Sequence, residues 1–197
     1  MHPNEPLDQP PDSGDGSVVA ALHVAEAAAG PGPTRPRRHR LLAAAAFAAP
    51  VVATAVLGSR FGPQDRSTGR WYAGLRKPPF QPPPAVFAPV WTGLYASIAA
   101  SGYRVWAAPD HALRRPALAL WGAQLAANAA WTPSFFGARK PKVAMGVLVT
   151  QLAATAAYAA VSAKVDKPAS ALMAPYLAWT GFAGVLNEEI VRRNPDE

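Results

Sequence analysis

Five stretches of this chain, at about 41–59, 85–108, 116–136, 142–163 and 169–191, each come near the roughly 20 apolar residues that a bilayer demands. The last four carry no Asp, Glu or Lys in their central turns. A soluble bundle would keep a charged stripe on the outer face of each helix, and no such stripe is present. The expected fold class is therefore all-α: an integral membrane bundle of five transmembrane helices, occupying residues 35–197.

Residues 1–34 read differently. Pro, Gly, Asp and Ser dominate and large apolar residues are few, so the segment lacks the surface needed to offset chain entropy. It is expected to be a disordered N-terminal tail, with SVVAALHVAEAAAG at 17–30 able to form a short helix. RPRRHR at 35–40, followed by the run from Leu41 to Ser59, resembles a signal-peptide start. The cluster sits far from Met1 and the run is long enough to span, so it reads as the first span.

The formal net charge is +7, yet Lys and Arg fall in small groups flanking the apolar runs, which is the pattern of membrane-edge anchors and not of a nucleic-acid surface. No nucleic acid is expected as a partner. Basic residues divide almost evenly between the two sides of a five-span topology, which leaves the orientation open. The chain has no cysteine, and its four histidines lie in tail or loop without metal-ligand spacing. Neither a metal site nor a catalytic residue is assigned.

The most distinctive stretch is RWYAGLRKPPFQPPPAVFAPVW at 70–91, where five closely spaced prolines favour a stiff, polyproline-like loop. Trp71, Tyr72, Arg76 and Lys77 there fit two readings: a lid over a planar ligand carrying carboxylates, or an interfacial aromatic belt with basic anchors. In the third span Trp121, Gln124, Asn128, Trp131 and Phe135 recur at helical spacing. Amides in hydrocarbon need partners, so Gln124 and Asn128 should point into the bundle, toward a neighbouring helix or a ligand.

Phe87, Trp91 and Tyr95 form a stripe on the second span, and Tyr176, Trp179 and Ala183 form one on the fifth. Such stripes wall a pocket or simply pack. Gly122, Ala126 and Ala130 lie at four-residue intervals on the other face of the third span, a spacing that allows close helix approach and a homodimer seam. Glu188 and Glu189 each meet an arginine four residues on, Arg192 and Arg193, as membrane-edge pairs.

WYAGLRKPPFQPP and VFAPVWTGLY, then QLAANAAWTPSFFGARKP, then PYLAWTGFAGVLN together resemble the TspO/MBR family over about residues 58–194. The resemblance implies a five-helix, multi-pass membrane protein, here of a bacterial cell membrane, commonly homodimeric and in contact with membrane lipid. It further implies a receptor, sensor or transporter-like role in which porphyrins such as protoporphyrin IX are bound as ligand, with no cofactor. Light-dependent porphyrin breakdown, or a membrane scaffold, is the alternative.

Carried over by position, the ligand pocket would use Trp71, Tyr72, Phe87, Ala88, Trp91, Asn128, Trp131, Trp179, Ala183 and Leu186. The chain departs from the family pattern at Phe80 and Ala85, where tryptophan is frequent, at Val143, where animal members carry tryptophan, and at Glu188, where animal members carry the tyrosine of a proposed cholesterol-recognition stretch.

Overall fold

The computed structural model describes residues 37–63 and 65–197; the tail at 1–34 and the short helix expected at 17–30 lie outside them. The described residues are mostly helical and contain no strand. Its elements are α1 (Arg37–Arg60), α2 (Arg66–Gly74), α3 (Pro84–Ala107), α4 (Arg114–Thr132), a π-helical turn (Pro133–Gly137), α5 (Pro141–Ser162), α6 (Lys167–Ala171) and α7 (Ala174–Arg193).

Prolines punctuate the ends. Pro84 opens α3 and Pro141 opens α5, positions where a missing N–H and a fixed φ carry no penalty. At Pro133 the α ladder of α4 loses a donor, and the chain widens into the π turn, closed by Ala138 N–H donating to the Pro133 carbonyl at 2.7 Å. Pro175 acts in the same way on the fifth expected span, which consists of α6 and α7 with a turn at 172–173 between them.

Residues 70–74, the start of the stretch expected to be a stiff loop, belong to the helix α2. The prolines begin only at Pro78, while Asp65 caps the segment by accepting from Ser67 N–H and Thr68 N–H, each at 2.9 Å. The stiff stretch is thus confined to residues 75–83.

Among the described residues, four helical segments are long and apolar enough to cross a membrane: α1, α3, α5 and the α6–α7 segment Lys167–Arg193. The fifth, α4, is diluted by Arg114, Arg115, Gln124 and Asn128. It packs along α5 most extensively, and also against α1 and α3, and so lies within the same bundle. Around the bundle, α1 neighbours α3 and α4, α5 neighbours α4 and α7, and α3 and α7 touch only sparsely. That last gap shapes the interior.

The tightest crossing is at Gly102 on α3, where an added Cβ would stand 2.7 Å from the Trp121 ring and 2.8 Å from the Phe47 ring. Trp121 is fixed there by its indole N–H donating to the Ile98 carbonyl at 2.9 Å. At the same end of the bundle, Arg104 of α3 grips Asp166 through two bonds of 3.0 and 3.1 Å, and Asp166 also caps α6 through Ala169 N–H. At the opposite end Glu189 pairs with both Arg192 and Arg193, whereas the expected Glu188–Arg192 pair is not formed. The i,i+3 geometry brings Arg192 to Glu189 first.

Candidate ligand cavity

Between the sparsely touching α3 and α7 lies a cavity of about 570 Å³, in the half of the bundle where α1 ends and α3 begins. Eight of the ten residues expected at a pocket line it: Tyr72, Phe87, Trp91, Asn128, Trp131, Trp179, Ala183 and Leu186. The aromatic stripes of α3 and α7 meet across it, with the Phe87 and Trp179 rings 5.8 Å apart and edge to face. Trp91 stacks obliquely on Tyr95 at 5.1 Å. On α4 the Trp131 ring stacks on Phe135 at 5.1 Å, which holds the indole as one wall.

Trp71 and Ala88 do not line the cavity. Ala88 is exposed on the outside of α3, where its carbonyl accepts from the Thr92 hydroxyl. Trp71 stands one layer behind the wall, edge-on to Phe135 at 5.7 Å, with its indole N–H donating to Glu197 at 2.9 Å. Tyr72, its neighbour on α2, reaches inward and meets Phe136 at 5.2 Å.

One polar network joins four helices at the cavity's inner end. The buried Tyr176 hydroxyl accepts from Asn128 Nδ2 at 2.9 Å and from Gln151 Nε2 at 2.7 Å, and Tyr95 donates to Asn128 Oδ1 at 3.3 Å. Asn128 thus meets the partners that an amide in hydrocarbon requires. Gln124, also fully buried, has no hydrogen-bond partner for either amide atom among the described residues. Gln151 was missed at the sequence level, although the rule that singled out Asn128 applies equally to an amide in the middle of α5. Gln81 of the proline-rich loop and Ala55, Gly58 and Ser59 of α1 also line the cavity. The α1 residues are small and carry no stripe that spacing could reveal.

The cavity's outer end is partly closed by α2 and the 75–83 loop, through Tyr72 and Gln81. Asn194, just past α7, clasps this loop twice: its Oδ1 accepts from Arg76 N–H at 3.0 Å and its Nδ2 donates to the Arg76 carbonyl at 3.1 Å. Lys77 lies over the Tyr72 ring with Nζ 4.4 Å from the centroid. Partial burial lowers the Lys77 ammonium from its ordinary range, and burial raises the Tyr72 phenol, which stays protonated at neutral pH. The closure therefore presents an aromatic inner face with a cation at its edge.

Helices of this length and polarity around a partly open aromatic cavity define a multi-pass membrane protein with space for a small molecule inside the bundle. Residues 46–193 match the TspO/MBR family, and the chain belongs to that family. It is 40% identical to the translocator protein of Bos taurus over 146 residues, which is 70% of this chain and 84% of that protein. It is 35% identical to the tryptophan-rich sensory protein of Cereibacter sphaeroides over 148 residues, 75% of this chain and 89% of that one. Protein CrtK of Rhodobacter capsulatus matches at 36% over 132 residues, covering 66% of this chain and 82% of CrtK. The bacterial relatives fit a bacterial cell membrane.

Proposed function

We propose that this chain is a membrane receptor or sensor that binds a porphyrin such as protoporphyrin IX in the cavity between α3, α4, α5 and α7. The observation that carries the reading is the convergence of Tyr72, Phe87, Trp91, Trp131 and Trp179 on one space of about 570 Å³. Such a volume falls within the range of small-molecule sites, and flat aromatic walls favour a flat, largely apolar ligand. Lys77 at the edge of the closure, with Arg76 beside it, supplies charge for ligand carboxylates that stay near water.

Three indoles lining one cavity also favour a second reading, light-dependent porphyrin breakdown, because each stands where an excited ligand would touch it. A homodimer belongs to the proposal too. Ala126 and Ala130 are exposed and Gly122 half-buried on the outer face of α4, which leaves that face free of bulky groups for a second copy.

Titrating protoporphyrin into purified protein while following tryptophan emission tests the reading, with Trp91→Phe and Trp179→Phe as controls against partition into detergent. Saturable quenching that weakens in both variants is the expected result. Quenching that never saturates and is equal in all three proteins overturns it. Illuminating the saturated complex then separates the two readings, since a receptor returns intact ligand and an enzyme yields a modified product.

A further inference from the structure

α1 and α3 converge at one end of the bundle and part at the other. An added Cβ at Gly102 of α3 would stand 2.8 Å from the Phe47 ring of α1, so the two helices are pressed together there. At the cavity end, an added Cβ at Gly58 of α1 would meet Thr132 Oγ1 of α4 at 3.5 Å, and among the described residues nothing from α3 comes within 4 Å of it. Ala55, Gly58 and Ser59 share one face of α1 and line the cavity, with Gly62 lining it just beyond the helix. None of these side chains is large enough to bridge to α3.

The cavity wall is interrupted on this flank. Among the described residues that line it, the exposed ones are Ser59, Pro63, Pro84 and Thr92, and every one belongs to α1, the turn after it, or α3. A residue that faces both the cavity and the outside marks an opening. The seam between α3 and α7 is covered instead by rings, with Phe87 on Trp179 at 5.8 Å and Phe80 on Phe182 at 6.3 Å. α1 has no aromatic residue after Phe47, and Phe61, just past its end, packs toward Gly137. The opening is therefore a slot between α1 and α3. From Pro84 to Thr92 it runs about 12 Å down α3 at 1.5 Å per residue, which takes its deeper end into the hydrocarbon while its outer end lies at the membrane edge beside Arg60.

Resting on the reading of the cavity as a ligand site, we propose that this slot is the passage by which a flat, apolar ligand moves edge-first between the bilayer and the cavity. A ligand dissolved in the membrane reaches the cavity this way without crossing water. Its polar groups stay at the outer end of the slot, level with Arg60, while its apolar edge enters between Ser59 and Thr92. The 75–83 loop borders the slot only at that outer end, where it runs into Pro84, so loosening the loop widens the passage where it meets water.

The chain has no cysteine, so Ala183→Cys places a single thiol in the cavity. In lipid nanodiscs an apolar pyrene maleimide, which partitions into the bilayer, is expected to label it. Adding Ser59→Phe or Thr92→Phe, each of which plugs the slot, is expected to slow that labelling by roughly tenfold or more. Val185→Cys, on the exposed outer side of α7, is expected to label at the same rate with and without either plug. Unchanged labelling of Ala183→Cys in both plugged proteins overturns the proposal. Protoporphyrin kinetics in the plugged proteins give a second readout, because a blocked passage slows association and dissociation together, whereas a lost wall contact speeds dissociation. Faster dissociation in both variants overturns the proposal as well. If the wild-type chain binds no protoporphyrin saturably while the labelling pattern holds, the porphyrin reading fails and the passage stands.

Discussion

Tyr176→Phe removes a single oxygen atom, yet that oxygen accepts from two buried amides, Asn128 Nδ2 at 2.9 Å and Gln151 Nε2 at 2.7 Å. The ring stays in place and leaves no cavity, so the change isolates the network. In membrane proteins a single interhelical hydrogen bond averages about 0.6 kcal/mol, so two give about 1.2 kcal/mol as a lower bound. Leaving a buried donor unmet costs about 1–3 kcal/mol in soluble proteins, and Gln151 and Asn128 are both walled in, so the total is expected at roughly 1–3 kcal/mol. Equilibrium unfolding in mixed detergent and dodecyl sulfate micelles measures it. Asn128→Leu is expected to cost a similar amount, and the double variant less than the sum, because both changes remove one shared bond. A Tyr176→Phe protein as stable as wild type to within about 0.3 kcal/mol would refute the claim that this network ties α4, α5 and α7 together.

Gly102→Ala places a methyl group 2.7 Å from Trp121 and 2.8 Å from Phe47, and is expected to cost about 1–3 kcal/mol of stability in the same unfolding assay. Asn194→Ala removes both bonds to the Arg76 backbone; amide exchange in residues 75–83 is expected to speed up by about tenfold, and ligand entry to quicken with it. Hydrogen bonds, led by that from the Thr68 side chain, hold the Asp65 carboxyl below its ordinary value of 3.8. A depressed folded value means that the cap on α2 is fully present above 3.8 and is lost as pH falls through the lower folded value. Emission from Trp71 is therefore expected to stay flat on acidification until below pH 3.8, and Asp65→Asn, which still caps, to remove the acid transition.

The bundle was legible in the sequence because hydrocarbon imposes a length and forbids central charge, and both constraints are local. The stripes on α3, α4 and α7 were legible for the same reason, since spacing alone decides which residues share a face. Trp71 and Tyr72 show where that logic stops. Adjacent residues on α2 point about 100° apart, so one reaches the cavity and the other packs behind Phe135, and nothing in the local pattern says which. Ala88 failed similarly: it neighbours Phe87 in sequence but faces outward. The break at Pro175 and the helix at 66–74 were readable from proline placement and the Asp65 cap. Partner choice was not, because Gln151 meeting Tyr176 depends on how α5 and α7 are brought together.

The most direct test of the central claim is equilibrium binding of protoporphyrin to wild-type protein and to Ala183→Trp in identical lipid nanodiscs. Ala183 lines the cavity on α7 near Trp179, so an indole there occupies the proposed ligand's space while the outside of the bundle is unchanged. Saturable binding by wild-type protein, weakened by roughly tenfold or more in Ala183→Trp, is the predicted result. Equal affinity in a correctly folded variant would contradict a ligand site inside the bundle.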